Sequence, residues 1–249
     1  MRALAVTCGT VVAFLATVTP VWAASTPGPA TMRAALADPL EKDFTEQAMG
    51  TSASLLQGPF DAATYAQSAA SDVKSRASLL LALHQYGFVT GYGRNWYKSR
   101  RSELMEELLM VFASDWGAQT TASSSKSTYA SDPTTQSFFD PQLMYGAYGL
   151  TINEGGYHWT VVIFTKGNDM FVIERGAPSD YPTSQATAQA RQMFDVAPAR
   201  FDVRDQSPLG FIGPNFRLIA IGALVVMLMT ACAIAVVLFV VFSRQQQQP

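Results

Sequence analysis

Cysteine is almost missing from this chain, and the two that occur, Cys8 and Cys232, lie inside apolar runs near either end. The residues between those runs therefore cannot form a disulfide, a zinc–thiolate site, an iron–sulfur cluster or a thiol nucleophile, and packing alone must hold them. Histidine is as scarce. His84 and His158 stand alone, without HExxH or similar spacing, so no metal site is expected. No asparagine is followed by x-Ser or x-Thr, which excludes glycosylation there. No serine sits in a Gly-x-Ser-x-Gly elbow, so the hydrolase reading lacks its strongest marker. The Gly-x-Gly of TGYGRNW has neither a third glycine nor a following helix, and no cofactor is expected.

What the sequence does have is apolar at both ends. MRALAVTCGTVVAFLATVTPVWAAS gives Arg2, an apolar stretch from Ala3 to Val18, then Pro20 and the pattern Val21-Trp22-Ala23. This is the layout of a secretory signal peptide over residues 1–23, and its apolar part is short of the ~20 residues needed to span a bilayer. At the other end, residues 218–242 carry no charge, and at about 1.5 Å per residue they exceed the ~30 Å of hydrocarbon in a bilayer. They predict one C-terminal transmembrane helix, through which the lipid bilayer becomes a partner. With the N-terminus exported, residues 243–249 are expected to form a short cytoplasmic tail. A lipid-linked ending is disfavoured, because arginine and glutamines follow the apolar run. The expected location is thus the cell membrane, single-pass, with the main domain outside.

Residues 24 to about 216 leave roughly 190 residues, enough for one domain with a single core. All 19 acidic residues lie there, against 14 basic ones once Arg2, Arg217 and Arg244 are set aside, for a net charge near −5. A nucleic-acid partner is not expected from such a surface. The basic run Arg94, Lys98, Arg100 and Arg101 reads as a solvated strand end. Residues 24–60 are read as a partly disordered lead-in with a short helix near 32–37, residues 61–195 as the exported domain, and residues 196–217 as a stalk.

Within the domain, Asp61 is a helix N-cap, and Ala77, Leu80, Leu81 and His84 give a better apolar helical face ending at Gly87. Val89 to Lys98 reads as a strand. SELMEELLMVF is ambiguous, since Glu, Leu and Met favour helix while Leu104, Leu108, Met110 and Phe112 fit a strand buried on both faces. A helix follows from Asp115. Residues 131–156 read mostly as loop, with a short strand around 145–152.

The most patterned stretch is EGGYHWTVVIFTKGNDMFVIERG, from Glu154 to Gly176. If Gly167-Asn168 is a two-residue turn of the II′ form, Lys166 opposes Asp169, Phe164 opposes Phe171, Ile163 opposes Val172 and Val162 opposes Ile173. Both faces are then apolar near the turn, so the hairpin should be covered on both sides. A helix over 182–194, with Ala186, Ala190, Met193 and Phe194 on one stripe, supplies one cover.

The order LLLALHQYGFVTGYGRNW, MVFASDWGA, VIFTKGNDMFVI, QATAQARQMF, from about residue 79 to 194, resembles bacterial exported and membrane-anchored domains of largely unknown function with a PsbP-like fold. The resemblance implies an α+β domain, an antiparallel sheet with helices on both faces, and it turns residues 104–112 towards strand. It defines no site residues.

His158 stands between Tyr157 and Trp159, with Glu154 four residues earlier. A catalytic base oriented by a carboxylate has such neighbours, yet a histidine at a domain rim is the plainer reading. Tyr92, Trp96, Tyr157 and Trp159, with Tyr86 and Tyr97, could line a ligand groove or simply pack. The leading expectation is a non-catalytic exported domain that binds an envelope protein or a small apolar ligand. The alternatives are an exported hydrolase using His158 with Glu154 or a loop serine, and a structural envelope component.

Overall fold

The computed structural model describes residues 26–47 and 56–203. The expected signal peptide, transmembrane helix and tail lie outside the described residues. In chain order the elements are α1 (Pro29–Ala34), β1 (Thr45–Glu46), β2 (Gly58–Phe60), α2 (Ala62–Ala69), α3 (Val73–Gln85), β3 (Phe88–Lys98) and β4 (Glu103–Phe112). Then come α4 (Asp115–Ser131), β5 (Thr135–Phe139), β6 (Tyr148–Glu154), β7 (Tyr157–Lys166), β8 (Asp169–Ala177) and α5 (Thr183–Val196). The strands form one antiparallel sheet in the order β1-β3-β4-β8-β7-β6-β5, and β2 shares the outer edge of β3 with β1.

Alternation of side chains along the central strands builds two cores from one sheet. Leu109, Val111, Val162, Phe164, Phe171 and Ile173 face α1 and α5, which contribute Met32, Ala186, Ala190 and Met193. Leu108, Met110, Phe112, Val161, Ile163, Met170 and Val172 face the other way, towards α2, α3 and α4 with Ala62, Leu83, Ala118 and Ala122. Each large side chain buried in this way contributes about 1.5–3 kcal/mol relative to exposure. Residues 103–112 are a strand for this reason: a central strand buried on both faces gains more from packing than its Glu, Leu and Met gain from helical propensity.

The hairpin of β7 and β8 has the expected register, from Lys166 opposite Asp169 through Val162 opposite Ile173. Gly167 has φ +60° and Asn168 is not left-handed, the pattern of a II′ turn. The turn also closes β4: Asn168 Nδ2 donates to the Phe112 carbonyl at 2.7 Å, and the Phe112 N–H donates to the Asn168 carbonyl at 2.9 Å.

Several expectations need correction. The helix after Asp61 is two helices, because Asp72 caps a second start with its side chain accepting from the Ser75 N–H. The buried position of α3 is Leu83, whereas Ala77 and His84 are exposed and Leu81 is 59% exposed. Within 131–156 the expected strand is present as β6, but it is joined by a second strand, β5, and the loop shrinks mainly to residues 140–147. Residues read as lead-in belong to the fold: Met32 and Leu36 are buried, and Arg94, far from a solvated strand end, donates to the Leu36 carbonyl at 3.2 Å. Arg94 also pairs with Asp38 at 2.7 Å and with Glu46 at 3.2 Å, which ties that segment to the sheet. The start of the expected stalk packs as well, with Ala197, Phe201 and Val203 buried against the α5 layer.

Candidate functional site

Leu108, Glu106 and Leu104 lie on the α4 face of β4, beyond the part of the sheet that Ala118 and Ala122 cover. Here the sheet, α2 and the end of α4 enclose a cavity of about 540 Å³. Its floor is a row across three strands, Glu106–Glu174–Val161, fixed by the register. Tyr65 stands over it from α2 and Tyr129 from α4. Glu154, Tyr157 and Trp159 close the far side. The Trp159 ring lies against Gly176, its cross-strand neighbour, and packs with Tyr157 at a centroid distance of 5.7 Å.

One wall depends on a glycine. A Cβ at Gly93 would stand 2.2 Å from the Leu56 carbonyl oxygen, so only glycine lets this segment lie on β3. Leu56 is then held at both ends: its carbonyl accepts from Asn95 Nδ2, and its N–H donates to Glu106 Oε1 at 3.1 Å.

The electrostatics are unusual for an apolar sheet. Glu106 and Glu174 are direct cross-strand partners, a placement that opposes like charges. Burial pushes the Glu106 carboxyl up to about 8, with the Glu174 charge adding to the rise and the Leu56 N–H opposing it. Glu174 is raised to about 7, by burial first and then by Glu154. The phenols of Tyr65 and Tyr129 are also pushed up by burial and by these carboxylates. Near neutrality the two glutamates therefore hold a proton that separate carboxylates would have released. Such a pair can exchange protons or receive a cation.

No family model matches the chain, and no curated protein matches it. Among solved structures, the extracellular domain of PknH from Mycobacterium tuberculosis is similar at a TM-score of 0.46 and 10% identity, covering 69% of this chain and 96% of that one.

The residues singled out from the sequence are divided between the two faces. Glu154, Tyr157 and Trp159 line the cavity. His158 does not: alternation turns it to the α5 face, opposite Asn153 and Ala177, where its ring meets Tyr181 edge-on at 4.8 Å. Its Nδ1 is buried with no hydrogen-bond partner among the described residues. A dyad of Glu154 with His158 is thus not assembled. Tyr92 is buried in the α5-side core, and Trp96 packs under the Arg94 guanidinium at 4.2 Å. Tyr86 meets Trp116 edge-on at 5.8 Å. The serines of the long segment are engaged elsewhere, Ser131 with the Ser127 carbonyl at 3.2 Å and Ser137 with Thr151 at 2.8 Å. Among the described residues no group of three or more His, Cys, Asp or Glu could hold a metal ion. Sequence reasoning missed Glu106, Glu174, Tyr65 and Tyr129. The available signal was a glutamate inside each of two otherwise apolar strands, MEELLMVF and MFVIERG.

Proposed function

We propose that the chain is a single-pass cell-surface protein whose exported domain holds a small ligand in this cavity without chemically altering it. The observation that carries the reading is the cavity itself. Its volume of about 540 Å³ falls in the range of small-molecule sites, roughly 300–1,000 Å³. Its walls combine apolar and aromatic side chains with polar ones, and two of the acids, Glu106 and Glu174, stand side by side on a sheet that is packed on both faces. Ligand recognition needs that combination, and a purely structural envelope component does not. The signal-like leader and the apolar segment 218–242 support the part of this reading that puts the domain outside and anchors it to the bilayer. With His158 and Glu154 on opposite faces of the sheet, the alternative of a hydrolase using His158 with Glu154 or a loop serine has less support than ligand binding.

The test is a thermal-shift screen of the full chain in dodecyl maltoside against a small-molecule library, repeated on Ala69→Trp. Ala69 is exposed at the cavity rim, so a tryptophan there fills the opening without entering the core. Compounds that raise the Tm of the wild type should fail with the variant and be recovered unchanged. A screen without any stabilising compound, or stabilisation equal in the variant, would overturn the reading.

A further inference from the structure

We infer that the cavity takes an organic cation: an ammonium group seated between Glu106 and Glu174, carried on an apolar body that lies against Tyr157 and Trp159. This rests on the ligand-binding reading above and adds charge and shape to it. Directly opposed residues on adjacent antiparallel strands have Cβ atoms about 4.5–5.5 Å apart, so the two carboxyls flank one small volume. Glu106 is 9% exposed, and its Oε1 is taken by the Leu56 N–H, an amide and not a cation.

Most acids on the α5 side have cations from the chain itself, the exceptions being the buried Glu107, which accepts from Gln189 Nε2 at 2.7 Å, and the buried Asp169. Arg175 pairs with Glu103 at 2.7 Å and Glu41 at 2.8 Å, Lys98 pairs with Glu41 and Asp43, and Arg94 pairs with Asp38 and Glu46. On the cavity side no lysine, arginine or histidine is among the described lining residues. A desolvated carboxylate without a cation is costly, and this face sets the buried Glu106 beside the half-buried Glu174 at a space that a ligand can fill.

The walls point to the same class of ligand. Aromatic faces attract cations, most strongly tryptophan, and quaternary ammonium groups are commonly held in aromatic cages. Tyr65 from α2 and Tyr129 from α4 flank the carboxyl pair, and the Tyr157–Trp159 surface extends from it. A bare metal ion is less well served, because among the described residues no group of three or more His, Cys, Asp or Glu gathers to ligate one.

Binding exchanges one positive charge for another. The proton shared by Glu106 and Glu174 leaves to solvent as the ammonium enters, so affinity rises with pH. The other titratable groups facing the site are Glu154 from β6, Tyr157 from β7, Asp132 at the end of α4, and the two tyrosines already named. The added negative charge of Glu154 and Asp132 also favours a cation.

The experiment is calorimetric titration of the full chain in dodecyl maltoside with choline, benzyltrimethylammonium and 3,3-dimethylbutan-1-ol, the neutral carbon analogue of choline. The cations should bind at least tenfold more tightly than the neutral alcohol. Their affinity should increase between pH 6 and pH 8.5 with release of a proton, and Glu174→Gln should weaken them at least tenfold and flatten that pH profile. Equal binding of choline and its neutral analogue, or an unaltered Glu174→Gln, overturns the cation and leaves the ligand cavity standing. Absence of cation binding alongside library compounds that Ala69→Trp excludes has the same meaning. Absence of all binding removes both.

Discussion

Replacing Glu174 by glutamine should make the unliganded protein more stable at neutral and alkaline pH, and not at pH 4. The folded-state carboxyl is raised from the ordinary value of 4.5 to about 7. Its stabilising contribution is therefore complete below pH 4.5 and is lost as the pH rises through 7. With each tenfold change in proton affinity worth about 1.4 kcal/mol, the loss is about 3 kcal/mol, a large part of the 5–15 kcal/mol that holds a typical domain together. The amide has no charge to desolvate and stops repelling Glu106, its cross-strand partner. Wild type and variant should match near pH 4 and separate between pH 4.5 and 7 to about 3 kcal/mol, or roughly 6–12 °C in Tm for a domain of this size, a gap that then holds to pH 9. Glu107 and Asp169 are also raised by burial, to about 8 and about 7, but they remain in both proteins and cancel in the difference. Urea titrations at a series of pH values measure the gap. Parallel curves, with a constant difference from pH 4 to pH 7, would show that Glu174 is not desolvated beside Glu106.

Other substitutions test the surrounding construction. Gly93→Ala sets a Cβ 2.2 Å from the Leu56 carbonyl and should cost about 1–3 kcal/mol by denaturant unfolding, with weakened choline binding because Leu56 no longer fixes Glu106; wild-type stability would contradict the close approach. Lys166→Met should cost about 1.5–3 kcal/mol, since Lys166 Nζ donates to the carbonyls of Phe194 at 2.7 Å and Ala197 at 2.6 Å and so caps the end of α5; an unchanged urea midpoint would remove that role. His158→Phe should leave choline affinity within about twofold, as the ring points away from the cavity; a tenfold fall would return His158 to the site.

The legibility of the sequence followed how local each determinant was. The β7–β8 hairpin could be read to the residue, because Gly167-Asn168 sets the register and the apolar residues on both faces already require two covering layers. The caps at Asp61 and Gly87 were equally local. Leu83 was missed because α3 is a weakly amphipathic surface helix, whose one buried residue is chosen by the sheet beneath it. The roles of Arg94 and Lys98 were hidden because their partners, Asp38, Glu41, Asp43 and Glu46, sit in a segment rich in small and polar residues that looks unable to pack. Of the residues that line the cavity, Glu154, Tyr157 and Trp159 stood out in the sequence as an aromatic cluster with an acid. The Glu106–Glu174 pair depends on the pairing of β4 with β8, strands separated by a helix and three other strands. No local pattern in MEELLMVF announces that its first glutamate pair will bring Glu106 beside Glu174. The strict alternation of β7 also decides which member of Tyr157-His158-Trp159 is excluded from the cavity, a consequence that becomes readable only when the helix-covered face is known.

The most direct measurement is the affinity of choline against 3,3-dimethylbutan-1-ol at pH 8 for the full chain. The two probes share size and shape and differ by one positive charge, so their ratio reports on the Glu106–Glu174 pair itself. A preference for choline of at least tenfold, lost in Glu174→Gln, is the result expected. Equal affinity for the two, or a preference that survives the loss of Glu174, would contradict the account.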